Sequence, residues 1–434
     1  MSLRITQANE VGKVIATYVE SPTTAKGDAR IDVIPSEQPK GLWKQLLEVF
    51  LPTGYPHSVT EDYLECDSLQ AFASSIAGLL ASRAVLEGVG VGDASASPTA
   101  AILLTILQES MGRIATILFA YRLGTVLEPE CKMFRLLADV FNDFALILDS
   151  LSPVFPRTLR VLVLSCSSVL RALCGVAAGS SKASLSAHFA HFNNMAELNA
   201  KDSSQETVIS LLGMAAGSVV VSTVTTPFAT WLTLSLLLSA HLWLNHKAVR
   251  AVVMKSLNRQ RATIVLSHYF AFGIVLSPVE VSKKERIFAN GSIVRDFNNS
   301  MVGRCKICTT PMELLSKLGQ FSANGQSVTV RKKELLTLLK QCQNEKYIMH
   351  TIETEEIVAY ILLKVGCTSR DQLQAWYCAL LDLHCRARPE AFKKWESLLS
   401  ARALLSEKLL HAGWDLDSTT LQTQPSCRIS VATQ

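Results

Sequence analysis

The chain has 434 residues, of which 49% are hydrophobic and only 18% charged, with a formal net charge of +5. A mean hydropathy of +0.25 is high for a water-soluble enzyme of this length and points to partial embedding in a membrane. The small positive charge gives no reason to expect nucleic acid as a partner, and eleven cysteines at irregular spacing argue against a disulfide framework. The opening MSLRITQANEVGK has no apolar core of a secretory signal, so insertion is expected to rely on internal segments.

Taken in order, residues 1–40 read as N-terminal strands and a Pro/Ser-rich linker, with Val14–Val19 and Ile31–Ile34 pairing. A helix begins near Gly41, and the Pro- and Gly-containing LPTGYPHSVT at 51–60 is a loop. Asp62–Leu86 is helical, with Ser74, Gly78 and Ser82 spaced for close packing. GVGVGD at 88–93 lacks the dinucleotide-binding fingerprint and is read as a tight bend. Pro98–Tyr121 is an apolar helix in which Glu109 and Arg113 stand at i, i+4. That pair faces either a bundle interior or the aqueous side of a helix outside the lipid.

Lys132–Leu148 is amphipathic, and Asp139 and Asp143 lie one turn apart. Two carboxylates are too few for a dedicated metal cage, so a capped or salt-bridged helix is the simpler reading. SPVFP at 152–156 breaks the chain before an apolar helix over Thr158–Ala178.

The organising stretch is Gly175–Asn245. Its first half is dense in Ser, Asn, His and mixed charge; from Thr207 to His246 there is no Asp, Glu, Lys or Arg. That uncharged span is long enough for two bilayer crossings of about 20 residues each. Pro227 near its middle marks a hairpin tip. On one continuous helix, His188, His191, Met195, Asn199, Asp202 and Glu206 would share a face. Glu197 and Lys201 form an i, i+4 pair, and Asn194 and Gln205 complete a candidate polar site with these residues. Gly175/Gly179 and Gly213/Gly217 have the GxxxG spacing of close helix packing in lipid.

Lys247, Arg250, Lys255, Arg259 and Arg261 then form a basic loop, expected on the cytosolic side. Ala262–Pro278, short and flanked by cations, reads as a re-entrant or interfacial helix. Residues 287–325 are expected to be a linker or peripheral layer, and the single CxxC at Cys305 and Cys308 is weak support for zinc. The tail reads as helix over Lys332–Cys342, strands over Tyr347–Thr351 and Glu356–Val365, and helices over Ser369–His384 and Glu390–Ala412. The expected fold is therefore mainly α: a helical membrane-embedded core (41–286) with a small α+β C-terminal soluble domain (326–434).

Several long motifs carry a resemblance to a known family: LPTGYPHSVTEDYL (51–64), DSLQAFASSIAGLLASRAVLEGVGVGD (67–93), FRLLADVFNDFA (134–145) and, above all, GVAAGSSKASLSAHFAHFNNMAELNAKDSSQETVISLLG (175–213). With HLWLNHKAVRAVVMKSLNRQR (241–261) they make residues 50–285 resemble the root UVB-sensitive family. The resemblance implies a membrane protein without an established catalytic activity, tied in plants to UV-B response and vitamin B6 homeostasis and working as a complex of two family members. Where the family is expected to show Thr-Arg, this chain has Ser181-Lys182.

Three functional readings follow. The first is a non-enzymatic interaction or homeostasis factor in an internal membrane, contacting lipid and a homo- or hetero-oligomeric family partner. The second is a carrier for a small metabolite such as a B6 vitamer, using His188, Asn194, Lys201 and Gln205. The third is an enzyme with a metal on His188 and His191 plus Glu197 or Asp202; the spacing is not that of a known metal motif, and a packed polar network explains these residues more simply. No catalytic residue, metal ligand or cofactor is assigned.

Overall fold

The computed structural model describes residues 4–8, 14–21, 30–35, 61–90, 97–190, 195–321, 327–388, 397–398, 404–424 and 427–431. The expected helix near Gly41 and loop at 51–60 lie outside the described residues. The chain forms two compact units, one of residues 1–113 and 136–251, the other of residues 114–135 and 252–434.

The first unit opens with an antiparallel three-stranded sheet, β1 (Arg4–Ala8), β2 (Val14–Ser21) and β3 (Arg30–Pro35), in that order. Five long helices follow it in this unit: α1 (Glu61–Val89), the start of α2 (Pro98–Leu127), most of α3 (Cys131–Leu151), α4 (Arg157–Phe189) and α5 (Met195–Thr223). A sixth, α6 (Pro227–Ala251), completes the expected hairpin with α5, and Pro227 is its first residue. Proline suits that place because its missing N–H would be unpaired there anyway.

Five of these helices, α1, α2, α4, α5 and α6, are long and apolar enough to cross a membrane. That is three more than the uncharged tract alone suggested. Their outer faces carry large apolar side chains such as Ile117 (68% exposed), Phe228 (79%) and Leu236 (64%). The Glu109–Arg113 ion pair forms at 3.3 Å and is exposed, so it does not face a bundle interior.

α1 packs against both limbs of the hairpin. The contact face uses Ala77 and Ala81, which meet Leu146, Leu234 and Leu238 in a buried cluster. Gly78, one of the residues spaced for close packing, instead has no atom within 4 Å of where a Cβ would lie. Of the two GxxxG pairs, only Gly213/Gly217 touches another helix. A Cβ on Gly213 would lie 2.6 Å from the Ser75 Cβ, and one on Gly217 2.7 Å from Leu79 Cδ1. Among the described residues, nothing lies within 4 Å of where a Cβ on Gly175 or Gly179 would be.

Arg83 of α1 closes the hairpin tip. Its guanidinium donates to the carbonyls of Val221 (2.9 Å) and Val224 (2.8 Å) and to Thr230 Oγ1 (3.0 Å). The last carbonyls of α5 have no partner within their own helix, and a cation there also meets the negative end of the helix dipole. Arg160 does the same for the 3-10 turn at Ser152–Val154, donating to the carbonyls of Ser152 (3.0 Å), Pro153 (3.1 Å) and Phe155 (3.0 Å).

The second unit is α+β. β4 (Ser256–Asn258) leads into α7 (Arg259–Phe272) and the short α8 (Pro278–Lys284). β5 (Ile293–Arg295) and β6 (Met301–Ile307) come next, then α9 (Pro311–Leu318) with the hairpin β7 (Gly319–Phe321) and β8 (Val328–Val330). α10 (Lys332–Gln341), β9 (Tyr347–Glu353), β10 (Ile357–Leu363), α11 (Ser369–Ala387), α12 (Leu405–His411) and β11 (Asp415–Thr420) finish the unit. The main sheet runs β5-β6-β10-β9, with β6 and β10 parallel and the other pairs antiparallel.

Two expectations are corrected here. Residues 287–325 are not a linker, since β5 and β6 supply half of the main sheet. α7 is not an interfacial helix: Ala262, Val265, Leu266, Tyr269 and Phe270 lie in the same core as Trp376 and Tyr377 of α11. Cys305 and Cys308 are buried too, and burial pushes both thiols up, Cys308 to about 12, as suits apolar packing rather than thiolate chemistry. The expected helix over Glu390–Ala412 is seen in its last part as α12, while 389–396 and 399–403 lie outside the described residues.

Buried charge pins α7 and α8 in this unit. Glu285 accepts from Lys132 Nζ at 2.7 Å and lies 3.3 Å from Arg261 Nε, all three side chains being less than a tenth exposed. Asn258 caps α7 through the Arg261 N–H (2.8 Å) and donates to Glu130 Oε2 (3.1 Å). Burial, opposed by Arg261, pushes the Glu130 carboxyl up to about 7. Arg259 donates to the Leu421 carbonyl at 2.7 Å. Two members of the expected basic loop, Arg259 and Arg261, are thus internal struts.

Candidate functional site

The polar stretch does not form one helix. α4 ends at Phe189 with Ala190 as its cap in extended backbone, and α5 starts at Met195. His188 therefore belongs to α4, whereas Asp202 and Glu206 belong to α5, and the single shared face is not formed. His191 and Asn194 lie outside the described residues.

The two helices return beside each other, and the charge of Lys182, near the end of α4, is met by the start of α5. Its ammonium lies 2.6 Å from Asp202 Oδ2 and 2.9 Å from Glu206 Oε2. Asp67 of α1 brings a third carboxylate, with one oxygen from each acid within 4.8 Å of the others. Lys182 already neutralises two of the three, so a cation would have to displace or share its ammonium. Glu197 and Lys201 pair with each other at 3.0 Å.

Beside this cluster lies a cavity of about 40 Å³ whose wall includes Tyr63, Lys182, Phe189, Asp202 and Gln205. The Tyr63 and Phe189 rings pack at 5.5 Å and close one side. Neither Lys201 nor His188 lines the cavity. The volume suits one or two waters and is far below the roughly 300 Å³ at which small-molecule sites begin.

A second polar cluster, deeper in the same unit, joins α3 to α6. Asp143 Oδ1 lies 2.7 Å from His241 Nδ1, Asp139 Oδ2 lies 3.7 Å from His241 Nε2, and Asn245 Nδ2 donates to Asp139. His241 and Asn245 are almost fully buried. Burial pushes the Asp143 carboxyl up, while the hydrogen bond from His241 pulls it back. Asp139 and Asp143 were visible in the sequence one turn apart; His241 was hidden in an apolar run about 100 residues away, where nothing local announces its partner.

Residues 36–273 match the family model described as "Vitamin B6 photo-protection and homoeostasis domain". The chain belongs to the root UVB-sensitive family. It is 39% identical over 292 residues to "RUS family member 1" of Dictyostelium discoideum, an alignment covering 65% of this chain and 55% of that protein. It is 38% identical over 250 residues to "Protein root UVB sensitive 3" of Arabidopsis thaliana, covering 57% of each. "Protein root UVB sensitive 5" of Arabidopsis is 26% identical over 401 residues, covering 86% of this chain and 74% of the relative. The chain thus spans little more than half the length of the first two relatives. No solved structure matches it.

Both polar clusters fall inside the matched residues of this root UVB-sensitive chain. Each joins helices: Lys182 ties α4 to α5, and Asp143 with His241 ties α3 to α6. The sequence singled out Asp202, Gln205 and Glu206 but not Lys182 as a site residue. Lys182 carried a signal all the same, being the one cation in the polar run that precedes the α4–α5 turn.

Proposed function

We propose that this chain is an integral protein of an internal membrane that acts in vitamin B6 homeostasis by holding a partner chain, without catalysing a reaction of its own. The observation carrying this reading is the division of labour in the helices: apolar side chains face outward on five helices of bilayer length, while the charged clusters are consumed in helix-to-helix ties. Water-soluble proteins rarely present so much contiguous apolar surface. The open face at Gly175 and Gly179 supports a partner helix there, since small residues let backbones approach closely in lipid.

The carrier reading is less well supported at the polar site, because the cavity beside Lys182 holds only about 40 Å³. Native mass measurement of the full chain purified in mild detergent tests the proposal. A dimer or a bound family member that dissociates in Gly175→Leu supports it. A monomer carrying a stoichiometric metabolite overturns it in favour of the carrier.

A further inference from the structure

A well-formed cleft lies in the second unit, away from every residue discussed above as a candidate site. It measures about 460 Å³, within the usual range of roughly 300–1,000 Å³ for small-molecule sites. Its lining comes from three stretches: α7 with Thr263 and His268, the segment from Lys284 to Ile293, and the turn from Arg295 to Asn299.

The local fold forces cations into this cleft. A capping box, in which Ser277 accepts from the Glu280 N–H and Glu280 accepts from Ser277, fixes the start of α8. Glu285 just after the helix is extended and drawn inward by Lys132 and Arg261. Lys284, the last residue of the helix, and Arg286 flank it and both line the cleft. Both are exposed, and neither makes an ion pair or side-chain hydrogen bond among the described residues. Arg295 also lines the cleft, steadied by the Asn299 carbonyl at 2.9 Å.

The one acidic side chain in the lining does not cancel this charge. Asp296 accepts the backbone N–H groups of Asn298 and Ser300, each at 2.9 Å, and its other oxygen accepts from Arg388. Two aromatic rings stand at the mouth. Phe288 is 57% exposed and Phe297 43%, the latter packed edge-on against Phe272 at 5.1 Å. Three cations lining one cleft with exposed rings suit a multiply charged oxyanion joined to an apolar or planar body.

We propose that this cleft binds a phosphate group carried on such a body. The chemistry is shared by a phosphate monoester with a planar ring and by the headgroup of an anionic phospholipid, and the site does not depend on the partner-holding reading above.

The test uses the full chain in mild detergent, titrated separately with phenyl phosphate and with dioctanoyl phosphatidic acid and followed by calorimetry. Dioctanoyl phosphatidylcholine is the neutral control. The proposal expects saturable binding of at least one of the two probes, weakened about tenfold or more in K284Q/R286Q while the unfolding midpoint stays unchanged. Tighter binding of phenyl phosphate identifies a soluble metabolite, and tighter binding of phosphatidic acid identifies a lipid headgroup. No saturation by either probe up to about 10 mM, or equal affinity in the double variant, overturns the proposal.

Discussion

Replacing Gly213 by alanine puts a methyl group 2.6 Å from the Ser75 Cβ and 3.2 Å from the Phe72 carbonyl oxygen on α1. Neither atom sits at the end of a flexible side chain, so α5 must move away from α1. Overpacking of this kind costs about 1–3 kcal/mol, against a gain of about 1 kcal/mol from the better helix former. The net loss is at most about 2 kcal/mol, which in a unit of this size lowers the unfolding midpoint by up to about 8 °C. Gly175→Ala is the control on the same spacing motif: no atom lies within 4 Å of its new methyl, so its midpoint stays or rises. Gly217→Ala falls between, because the Leu79 Cδ1 it meets at 2.7 Å can swing aside. Circular dichroism melts of the full chain in one detergent read all three. Equal midpoints for the Gly213 and Gly175 variants would refute the packing of α5 on α1 through this glycine.

Glu130 holds its proton up to about pH 7 in the folded chain but only to about 4.5 when unfolded. The unfolded state therefore binds fewer protons between these values, and stability falls as pH rises through the window, by about 3 kcal/mol in all. Glu130→Gln should flatten that fall and stabilise the second unit at pH 8; an unchanged pH profile would show that the carboxyl is not in this environment. His384 works in the opposite sense, since burial lowers it to about 4 and the unfolded chain takes up a proton below about 6.5. Its share of stability is lost as pH falls from 6.5 to 4, and His384→Gln should remove that acid-side slope in the same melts. His241→Ala leaves the buried Asp143 without its partner at 2.7 Å and should cost about 3–5 kcal/mol. Loss below 1 kcal/mol in a detergent melt would count against a buried pair. Arg83→Met removes three hydrogen bonds at the hairpin tip, and limited proteolysis near Thr225 should become several-fold faster than in the parent chain.

What the sequence made legible was what local pattern encodes. The uncharged run with Pro227 at its centre specified the hairpin of α5 and α6, and two short strand-like runs marked β9 and β10. Several misreadings involve partners far along the chain. Arg261 looked like a surface cation because Lys132 and Glu285, which lie beside it in the fold, are over 120 and over 20 residues away. α7 looked interfacial because α11, which covers part of its apolar face, lies about 100 residues further on. β5 and β6 looked like linker because a three-residue strand carries almost no alternation, and Gly303 in β6 is needed where a Cβ would sit 2.5 Å from the Ile357 carbonyl. The site residues were placed on one wheel by assuming an unbroken helix, and the break at Ala190 split His188 from Asp202.

The sharing of one core by α7 and α11 has a consequence for how the protein is made. About 100 residues separate Phe272 from Ser369, roughly 5–20 s of translation. Throughout that interval α7 has left the ribosome with its face of Ala262, Val265, Leu266 and Phe270 still lacking α11. The family match ends at residue 273, at the end of this helix, so a chain truncated there would lack that cover permanently. The nascent protein must therefore be shielded from self-association until its last third emerges, and the domain boundary suggested by relatedness is not a boundary at which this chain can fold.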